Sequence, residues 1–508
     1  MANRDMVTHR GMPSVYRRTL YERSGGALRH AFATSAMALA LFACGENAPE
    51  REPEPEDGGA EPDFEPPEYG SWPHPLEHMP RGPEHTAAVC ERDGDDLVRD
   101  VFCAGEPRTF TSLVELQRSL AIDSSVMGGV TGLSVTAHST ALALRSVSAI
   151  NPRVIALRLE YEPHELLALA FSRGEQFSEI VVRDRQDKQL RFYVVGFRQA
   201  CNDEKSGCGP GDLLTPAIEE NWNEVTLYDE QDLTNTVMDC MPCHQPEGPD
   251  TTKILRMQEL DPPWTHWLFT GREGGRALID DYFAAKGEEP LAGMTAEQIR
   301  FAHPGNLAML AKYDIGSIVQ PNVFATQAIE DEVKASAAER GGQQPVDNSI
   351  PGESATWRAA YERAMAGEAI PVPYHDVKIA DAEKLAEMSE AYRAYREGEL
   401  DAADLPDIRD VFPEDEKRLA AMGVMTEPDL DGRGVLLQAC SQCHNARLDQ
   451  SLSRARFRAD LEGMDRAAKD RAIDRLLRPP TDPAAMPPLL LKELSAEARQ
   501  RAIEALRE

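Results

Sequence analysis

The sequence predicts a mixed fold: an α+β domain followed by a mostly α-helical region. Segments of strand composition lie within residues 84–225, and they read VIALRLEY (154–161), SEIVVRDR (178–185) and LRFYVVGF (190–197). Longer segments of helical periodicity follow residue 320, such as ADAEKLAEMSEAYRAYREGEL (380–400). At 508 residues the chain is long enough for about three domains.

Residues 1–43 have the composition of a signal peptide. An arginine-rich leader precedes the apolar stretch 31–43, which is too short to span a bilayer as a helix and has the size of a signal-peptide core. The arginines of the leader are Arg4, Arg10, Arg17, Arg18, Arg23 and Arg29. We therefore expect an exported protein, and no later stretch predicts a transmembrane helix in the mature chain.

The end of the apolar stretch reads LFAC (41–44), followed by Gly45, and it resembles the lipobox of bacterial lipoproteins. The resemblance implies that Cys44 is lipidated and becomes the new N-terminus. The protein would then be periplasmic or held at the outer membrane of a Gram-negative bacterium by its lipid alone. Cleavage near Ala43 without lipidation is the alternative, and it also gives an exported protein.

Residues 44–83 are predicted to be a disordered acidic tether. The stretch 46–70 is rich in Glu and Pro and has few apolar side chains, so it cannot bury enough surface to offset its ordering entropy. The whole chain has a formal charge of −32. Such a charge argues against nucleic-acid binding, which needs a basic face, and it suits a basic protein partner.

The region 84–225 is predicted to be an α+β domain without a nucleophile–base constellation. The last two strand segments are joined by a polar turn containing Asp187 and predict a hairpin. The segments LVELQRSLAI (113–122) and ELLALAF (165–171) predict helices.

Four cysteines of this region form an even set in an oxidising compartment: Cys90, Cys103, Cys201 and Cys208. The simplest pairing is Cys90 with Cys103 and Cys201 with Cys208, because each bond closes a short local loop. Two other pairings are compatible with the sequence.

The pattern Cys-x-x-Cys-His occurs twice, as CMPCH (240–244) and CSQCH (440–444). Four such cysteines could bind a structural zinc ion, or each pair could be a thioredoxin-like redox pair. Zinc needs no histidine directly after the pair, and neither pair follows a strand in a βαβ unit. In a c-type haem site two thiols bind the haem covalently and the next histidine ligates the iron. We therefore predict two haem c groups, on Cys240 and Cys243 and on Cys440 and Cys443.

A loop with Met486, Pro487 and Pro488 follows the second motif, and then a helix is predicted from the N-cap Ser495. The apolar stripe of that helix is formed by Ala498, Ala502, Ile503 and Leu506. The region 429–508 resembles class I-type cytochrome c, which has a helix ending in the motif, a Met-Pro loop and a C-terminal helix packed on the first. The resemblance implies that His444 is the proximal iron ligand and Met486 the distal one.

The first module is predicted over residues 226–319, with His244 as the proximal ligand, and a helical connecting region over 320–428. Met294 is the distal candidate, because it follows RALID (276–280) as Met486 follows RAID (471–474). His266, which lies between two tryptophans, is the alternative, and Met257 is a weaker one. An iron without a sixth protein ligand is also compatible with the sequence. Thr295 and Gln298 predict a capping box for the next helix.

These features leave two classes of function open. With both irons six-coordinate, the protein is an electron-transfer cytochrome that exchanges electrons with an exported redox partner and has no catalytic residues. With one open iron it is a haem enzyme, as in the dihaem cytochrome c peroxidases, which it resembles only in haem number. In a third hypothesis, the α+β domain binds a substrate or partner.

Overall fold

The computed structural model of the protein describes residues between 74 and 508, in separate ranges. These ranges are 74–105, 108–122, 132–136, 147–148, 150–159, 165–245, 248–253, 282–300, 381–411, 414–421, 425–441, 443–445, 451–452, 456–479, 482, 484–488 and 493–508. The predicted signal peptide, the lipidation site Cys44, residues 44–73 of the predicted tether, and the ligand candidates Met257 and His266 lie outside the described residues.

A six-stranded antiparallel sheet dominates the described N-terminal half, and its strands follow one another in chain order. The strands are β1 (Gly132–Thr136), β2 (Arg153–Leu159), β3 (Leu166–Phe171), β4 (Phe177–Arg183), β5 (Leu190–Arg198) and β6 (Asn223–Asp229). The three predicted strands correspond to β2, β4 and β5, and β4 and β5 form the predicted antiparallel hairpin. The fold is therefore mixed, with both helices and a sheet, as predicted.

The prediction of a helix at ELLALAF (165–171) is wrong, because these residues form β3. The segment pairs with β2 on one side and with β4 on the other. β3 is buried on both faces of the sheet, so its apolar residues run continuously instead of alternating with polar ones. A short run of this kind has no periodicity that distinguishes a strand from a buried helix.

The first face of the sheet carries the main hydrophobic core. Side chains such as Val154, Leu169, Ile180 and Val195 point into it. Three helices supply further core residues, and they are α1 (Pro83–Cys90), α2 (Leu97–Phe102) and α3 (Leu113–Ser119). The helix predicted at 113–122 is thereby confirmed as α3.

Both short-range disulfides predicted from the sequence are present. Cys90 is bonded to Cys103, between α1 and the end of α2, and Cys201 is bonded to Cys208 in the loop after β5. Because each bond closes a short loop, it reduces the conformational entropy of the unfolded chain around the sheet domain.

The remaining described elements are short helices and a helical C-terminal part. The α-helices are α4 (Pro210–Leu213), α5 (Glu230–Leu233), α6 (Met241–His244), α7 (Ala296–Arg300), α8 (Ala382–Glu397), α9 (Glu416–Ala421), α10 (Gly432–Cys440), α11 (Arg466–Leu477) and α12 (Ala496–Arg507). Short 3-10 helices lie at Ala200–Asp203, Pro216–Glu219, Ala402–Asp404 and Ile408–Val411. In the described part of the chain, no helix combines the length and apolarity that crossing a membrane requires.

Segments far along the chain complete the core on the first face of the sheet. Residues of 282–300 and of 388–408 belong to the same buried cluster as the sheet. The predicted domain boundary between residues 225 and 226 falls within β6. The sheet and these later segments therefore share one core.

A buried arginine fixes one of these segments to the sheet domain. The Arg173 side chain is 1% exposed; its Nε donates to Glu219 at 2.8 Å, and it also forms an ion pair with Glu289. Glu219 in turn accepts hydrogen bonds from the backbone N–H groups of Ala292 and Gly293, each at 3.0 Å. These charge-assisted bonds hold residues 289–293 against the loop after β3.

The second face of the sheet contains a buried cluster of charged residues. Arg153 of β2 forms ion pairs with Glu179 of β4 and, at 3.7 Å, with Glu175. Burial raises the pKa of Glu175 from 4.5 to about 7, against the opposing effect of Arg153. Because the pKa of Glu175 is higher in the folded than in the unfolded protein, its contribution to folding stability is most favourable below pH 4.5 and falls as the pH rises to about 7.

We therefore expect Glu175→Gln to stabilise the protein more at high pH than at low pH. Relative to the wild type, the variant should gain about 2 kcal/mol in unfolding free energy between about pH 5.5 and about pH 8. Urea denaturation of both proteins at the two pH values measures this difference. Glu297→Gln, which replaces an exposed glutamate, is the matched control. If the variant and the wild type differed in unfolding free energy by the same amount at both pH values, the raised pKa of Glu175 would be contradicted.

The C-terminal helices pack around a separate small core. Its members come from α10, α11 and α12 and include Val435, Leu436 and Leu476. At Gly432 the backbone of α10 lies against α12, because an added Cβ would be 2.1 Å from the carbonyl oxygen of Arg501. A larger residue at Gly432 would therefore push the two helices apart.

The C-terminal helix matches its prediction in detail. Ser495 is the N-cap of α12 and accepts a hydrogen bond from the backbone N–H of Ala498. The four residues of the predicted stripe, Ala498, Ala502, Ile503 and Leu506, are all buried. The N-cap of α10 is Asp431, and the helix begins at Gly432, ahead of its first buried residue, Val435.

Candidate functional site

The two Cys-x-x-Cys-His motifs share one backbone geometry. In each motif the backbone N–H of the histidine donates to the carbonyl oxygen of the first cysteine, from His244 to Cys240 and from His444 to Cys440, both at 2.9 Å. This bond closes one helical turn and places the first cysteine and the histidine on the same side of it. The first motif lies on α6 and the second at the end of α10.

The first motif lies against the second face of the sheet. Asp239 orders the turn before it by accepting hydrogen bonds from the backbone N–H groups of Asn235 and Met241. Cys240 packs against a cluster on the second face that includes Val194 and Tyr228.

The imidazole ring of His244 also contacts the second face, at the ring of Phe192 in β5. The two ring centroids are 4.2 Å apart. Both ends of the motif, Cys240 and His244, therefore contact the sheet domain.

The second motif is held by the C-terminal helices and by the chain that follows it. The ring of His444 packs edge-on against Phe457 at 4.9 Å, and the His444 carbonyl oxygen accepts from the N–H of Ala459. The side chain of Asn445 donates to the carbonyl oxygen of Ser441 at 2.7 Å. These contacts fix the turn on which the histidine is carried.

The chemistry of Cys440 does not match a redox-active pair. Enclosure of its sulfur raises the pKa of the Cys440 thiol to about 12. Reactive Cys-x-x-Cys pairs have a lowered thiol pKa, because the thiolate is the nucleophile. This argues against the thioredoxin-like interpretation of the second motif.

The Met486 loop is anchored on α11. The backbone N–H of Met486 donates to the carbonyl oxygen of Arg475 at 3.0 Å, and Arg475 Nη1 donates to that of Ala484 at 3.3 Å. Met486 itself is half-buried. Since Leu476 of α11 belongs to the cluster against which Cys440 packs, the loop and the second motif are part of the same small helical unit.

Met294, the predicted distal ligand of the first site, lies in the core on the first face of the sheet. It is 1% exposed and belongs to the cluster that includes Tyr193 and Val195 of β5. His244 contacts Phe192 of the same strand, and side chains of adjacent strand residues point to opposite faces. The sheet therefore lies between Met294 and His244. The capping box next to Met294 is confirmed, since Thr295 and Gln298 exchange their side-chain hydrogen bonds.

We expect Met294→Leu to leave the visible spectrum of the purified protein unchanged, because the placement of Met294 favours a packing role. The exchange nearly conserves volume, so the unfolding free energy should fall by less than about 1.5 kcal/mol. Absorbance spectra and denaturant unfolding measure the two effects. Loss of a low-spin signal in this variant would instead support Met294 as an iron ligand.

Two aromatic residues of the candidate sites were missed from sequence. Phe192 lies 52 positions before His244 and Phe457 lies 13 positions after His444. Phe192 looks like an ordinary strand residue, and its contact depends on a long-range fold. Within the described ranges, no three side chains of the His, Cys, Asp and Glu types converge as they would around a metal ion.

No protein-family model, no curated protein and no solved structure matches the chain. The functional inference therefore rests on the residues of the chain itself.

Proposed function

We propose that the protein is an exported dihaem c-type cytochrome that transfers electrons. Cys240 and Cys243 would attach the first haem and Cys440 and Cys443 the second. His244 and His444 would be the proximal iron ligands. When bound, each haem supplies a one-electron iron couple.

The observation that carries the proposal is the shared turn of the two motifs. A turn closed between the first cysteine and the histidine presents a thiol and an imidazole to one side, as a covalently attached haem requires. The His244 and His444 rings also each pack against a phenylalanine, which limits their rotation. The donor set therefore fits a c-type haem at both places.

The chain around the motifs would orient the ligands and exclude water. At the second site, Met486 would supply a thioether as the distal ligand, which raises the reduction potential relative to a second histidine. At the first site, His266 is a candidate from sequence for the distal position, whereas Met294 lies on the opposite face of the sheet from His244.

Export and anchoring belong to the same proposal. Covalent haem attachment after export suits the signal peptide, and lipidation at Cys44 would hold the protein at a membrane without a transmembrane helix. With a net charge of −32, the surface suits an exported redox partner that is basic, because opposite charges steer the encounter.

The visible spectrum of the exported, purified protein tests this function. We expect two covalently bound haems per chain, both low-spin, in the oxidised and in the reduced protein. A protein without haem, produced in cells that mature other c-type cytochromes, would overturn the proposal and favour zinc or disulfide chemistry.

A haem enzyme with one open iron is the second candidate function. The position of Met294 across the sheet from His244 favours it, because the predicted distal ligand is not beside the proximal one. One high-spin and one low-spin haem, together with turnover of hydrogen peroxide by the reduced protein, would support the enzyme.

A further inference from the structure

The first motif lies inside a loop whose two ends meet in an ion pair. Glu230 lies on α5, before Cys240, and Lys253 lies after His244. The Lys253 ammonium donates to Glu230 Oε1. The side chains of Lys253 and Glu230 are 11% and 19% exposed, so the pair lies largely out of water. The ion pair therefore joins the chain segments on the two sides of the motif.

Helix α5 is itself held in place, so it gives this loop a fixed base. Arg92 donates to the side chains of Asp229, the N-cap of α5, and of Asp232, the latter at 2.7 Å. Arg92 lies within the short loop that the disulfide between Cys90 and Cys103 closes. α5 also packs against β5 and β6. The sheet domain therefore sets the position of α5.

The chain after the motif is folded back between His244 and Lys253. Gln245 Nε2 donates to the carbonyl oxygen of Thr251 at 2.8 Å, and Thr251 Oγ1 donates to that of Gly248 at 2.6 Å. Because Gln245 directly follows His244, these bonds connect the end of the loop with the turn that carries the imidazole.

Lys253 compensates the negative charge of Glu230. The second oxygen of this carboxylate, Oε2, is buried and has no hydrogen-bond partner among the residues that the structure describes. A buried ion pair repays its lost hydration only in part, so it adds little net stability, but removal of one partner leaves an uncompensated charge. What the pair does fix is the place where two segments of the chain meet.

We propose that Glu230 and Lys253 are positioning residues of the first site, because their ion pair closes the loop that carries Cys240 and His244 and fixes the orientation of the His244 imidazole. The proposal rests on the proposed function, since this orientation matters only if His244 binds an iron. Glu230 and Lys253 would act through the loop and would not contact the iron. The contact with Phe192 restrains the ring, and the ion pair restrains the backbone that carries it.

Breaking the ion pair in the full-length oxidised protein tests this role. The electron paramagnetic resonance g values of an oxidised haem depend on the orientation of its imidazole ligand. The signal of the first haem is the one absent from a Cys240→Ser, Cys243→Ser variant. We expect Lys253→Met to shift the g values of the first haem and to leave those of the second haem unchanged. Lys253→Arg keeps the positive charge and should retain the wild-type g values.

The double variant Glu230→Gln, Lys253→Met separates positioning from electrostatics. It removes one negative and one positive charge, so the net charge beside the first site stays the same. If the pair supplies geometry, the g values of the first haem should remain shifted in the double variant. Lys384→Met is the matched control, because it breaks an ion pair between Lys384 of α8 and Glu414, and it should shift the g values of neither haem.

Hydrogen exchange of the protein produced without haem gives a second readout. Amides of residues 239–245 should exchange faster in the double variant than in the wild type, because the loop is no longer closed. Wild-type g values in the double variant, with only a lower unfolding free energy, would overturn the positioning role and leave the dihaem proposal intact. A wild-type protein that never acquires haem would overturn the proposed function itself, and unchanged exchange would overturn the closure of the loop.

Discussion

The double variant Cys440→Ser, Cys443→Ser is expected to contain one covalent haem per chain in place of two. Serine cannot form a thioether, so the second haem would have no covalent attachment. The core formed by α10, α11 and α12 consists of apolar side chains such as Val435 and Leu476 and should still form. Haem content per polypeptide, measured after denaturation so that only covalent haem remains, gives the result directly.

Matched variants separate haem attachment from general effects of losing two cysteines. The double variant Cys201→Ser, Cys208→Ser lacks one disulfide, so its unfolding free energy should fall by about 2 kcal/mol or more. This variant should retain both haems. Cys240→Ser, Cys243→Ser should also leave one haem, at the other site. Two covalent haems in the Cys440→Ser, Cys443→Ser variant would contradict the assignment of the second site.

Local signals in the sequence predicted those parts of the fold that local interactions determine. The β4–β5 hairpin follows from strand composition and a polar turn, and α12 follows from a single N-cap and one apolar stripe. The two disulfides were predictable because each joins cysteines that lie close in the sequence, and closing such a short loop requires little rearrangement of the chain. Each of these features is fixed by residues of neighbouring segments of the chain.

Features that depend on distant pairing were not predicted. β3 was assigned to a helix, because its sequence shows only apolar character and its partners β2 and β4 decide its conformation. The analogy of Met294 with Met486 rests on sequence spacing, which does not show on which face of a sheet a residue lies. The contact between Phe192 and His244 depends on the sheet register and on the return of the chain after β6.

The two candidate sites differ in how far they depend on local and on long-range contacts. The second site is built from residues between 431 and 508, and the sequence predicted its C-terminal helix with the N-cap Ser495 but not the contact of Phe457 with His444. The first site combines Phe192 of the sheet with a motif that follows β6, so its environment needed the structure. A distal ligand for an iron at the first motif would depend on long-range contacts in the same way.

Replacing Met486 by alanine is expected to leave the second haem attached but to change its spin state. Alanine has no donor atom, so the iron would lose its thioether ligand while His444 and the two cysteines stay in place. Met486 is half-buried, and the anchor of its loop on Arg475 uses the backbone, so the substitution should preserve the fold. The oxidised spectrum should change from two low-spin haems to one low-spin and one high-spin haem.

Two further variants separate ligation from packing at this position. Met486→His replaces the thioether by an imidazole, so the haem should stay low-spin while its reduction potential falls. Met464→Ala removes another thioether from the same helical unit. The sulfur of Met464 accepts a hydrogen bond from the backbone N–H of Arg458 at 3.5 Å. This variant should change neither the spin state nor the reduction potential of the haem. If Met486→Ala kept two low-spin haems with unchanged potentials, Met486 would be a packing residue and another side chain would bind the second iron.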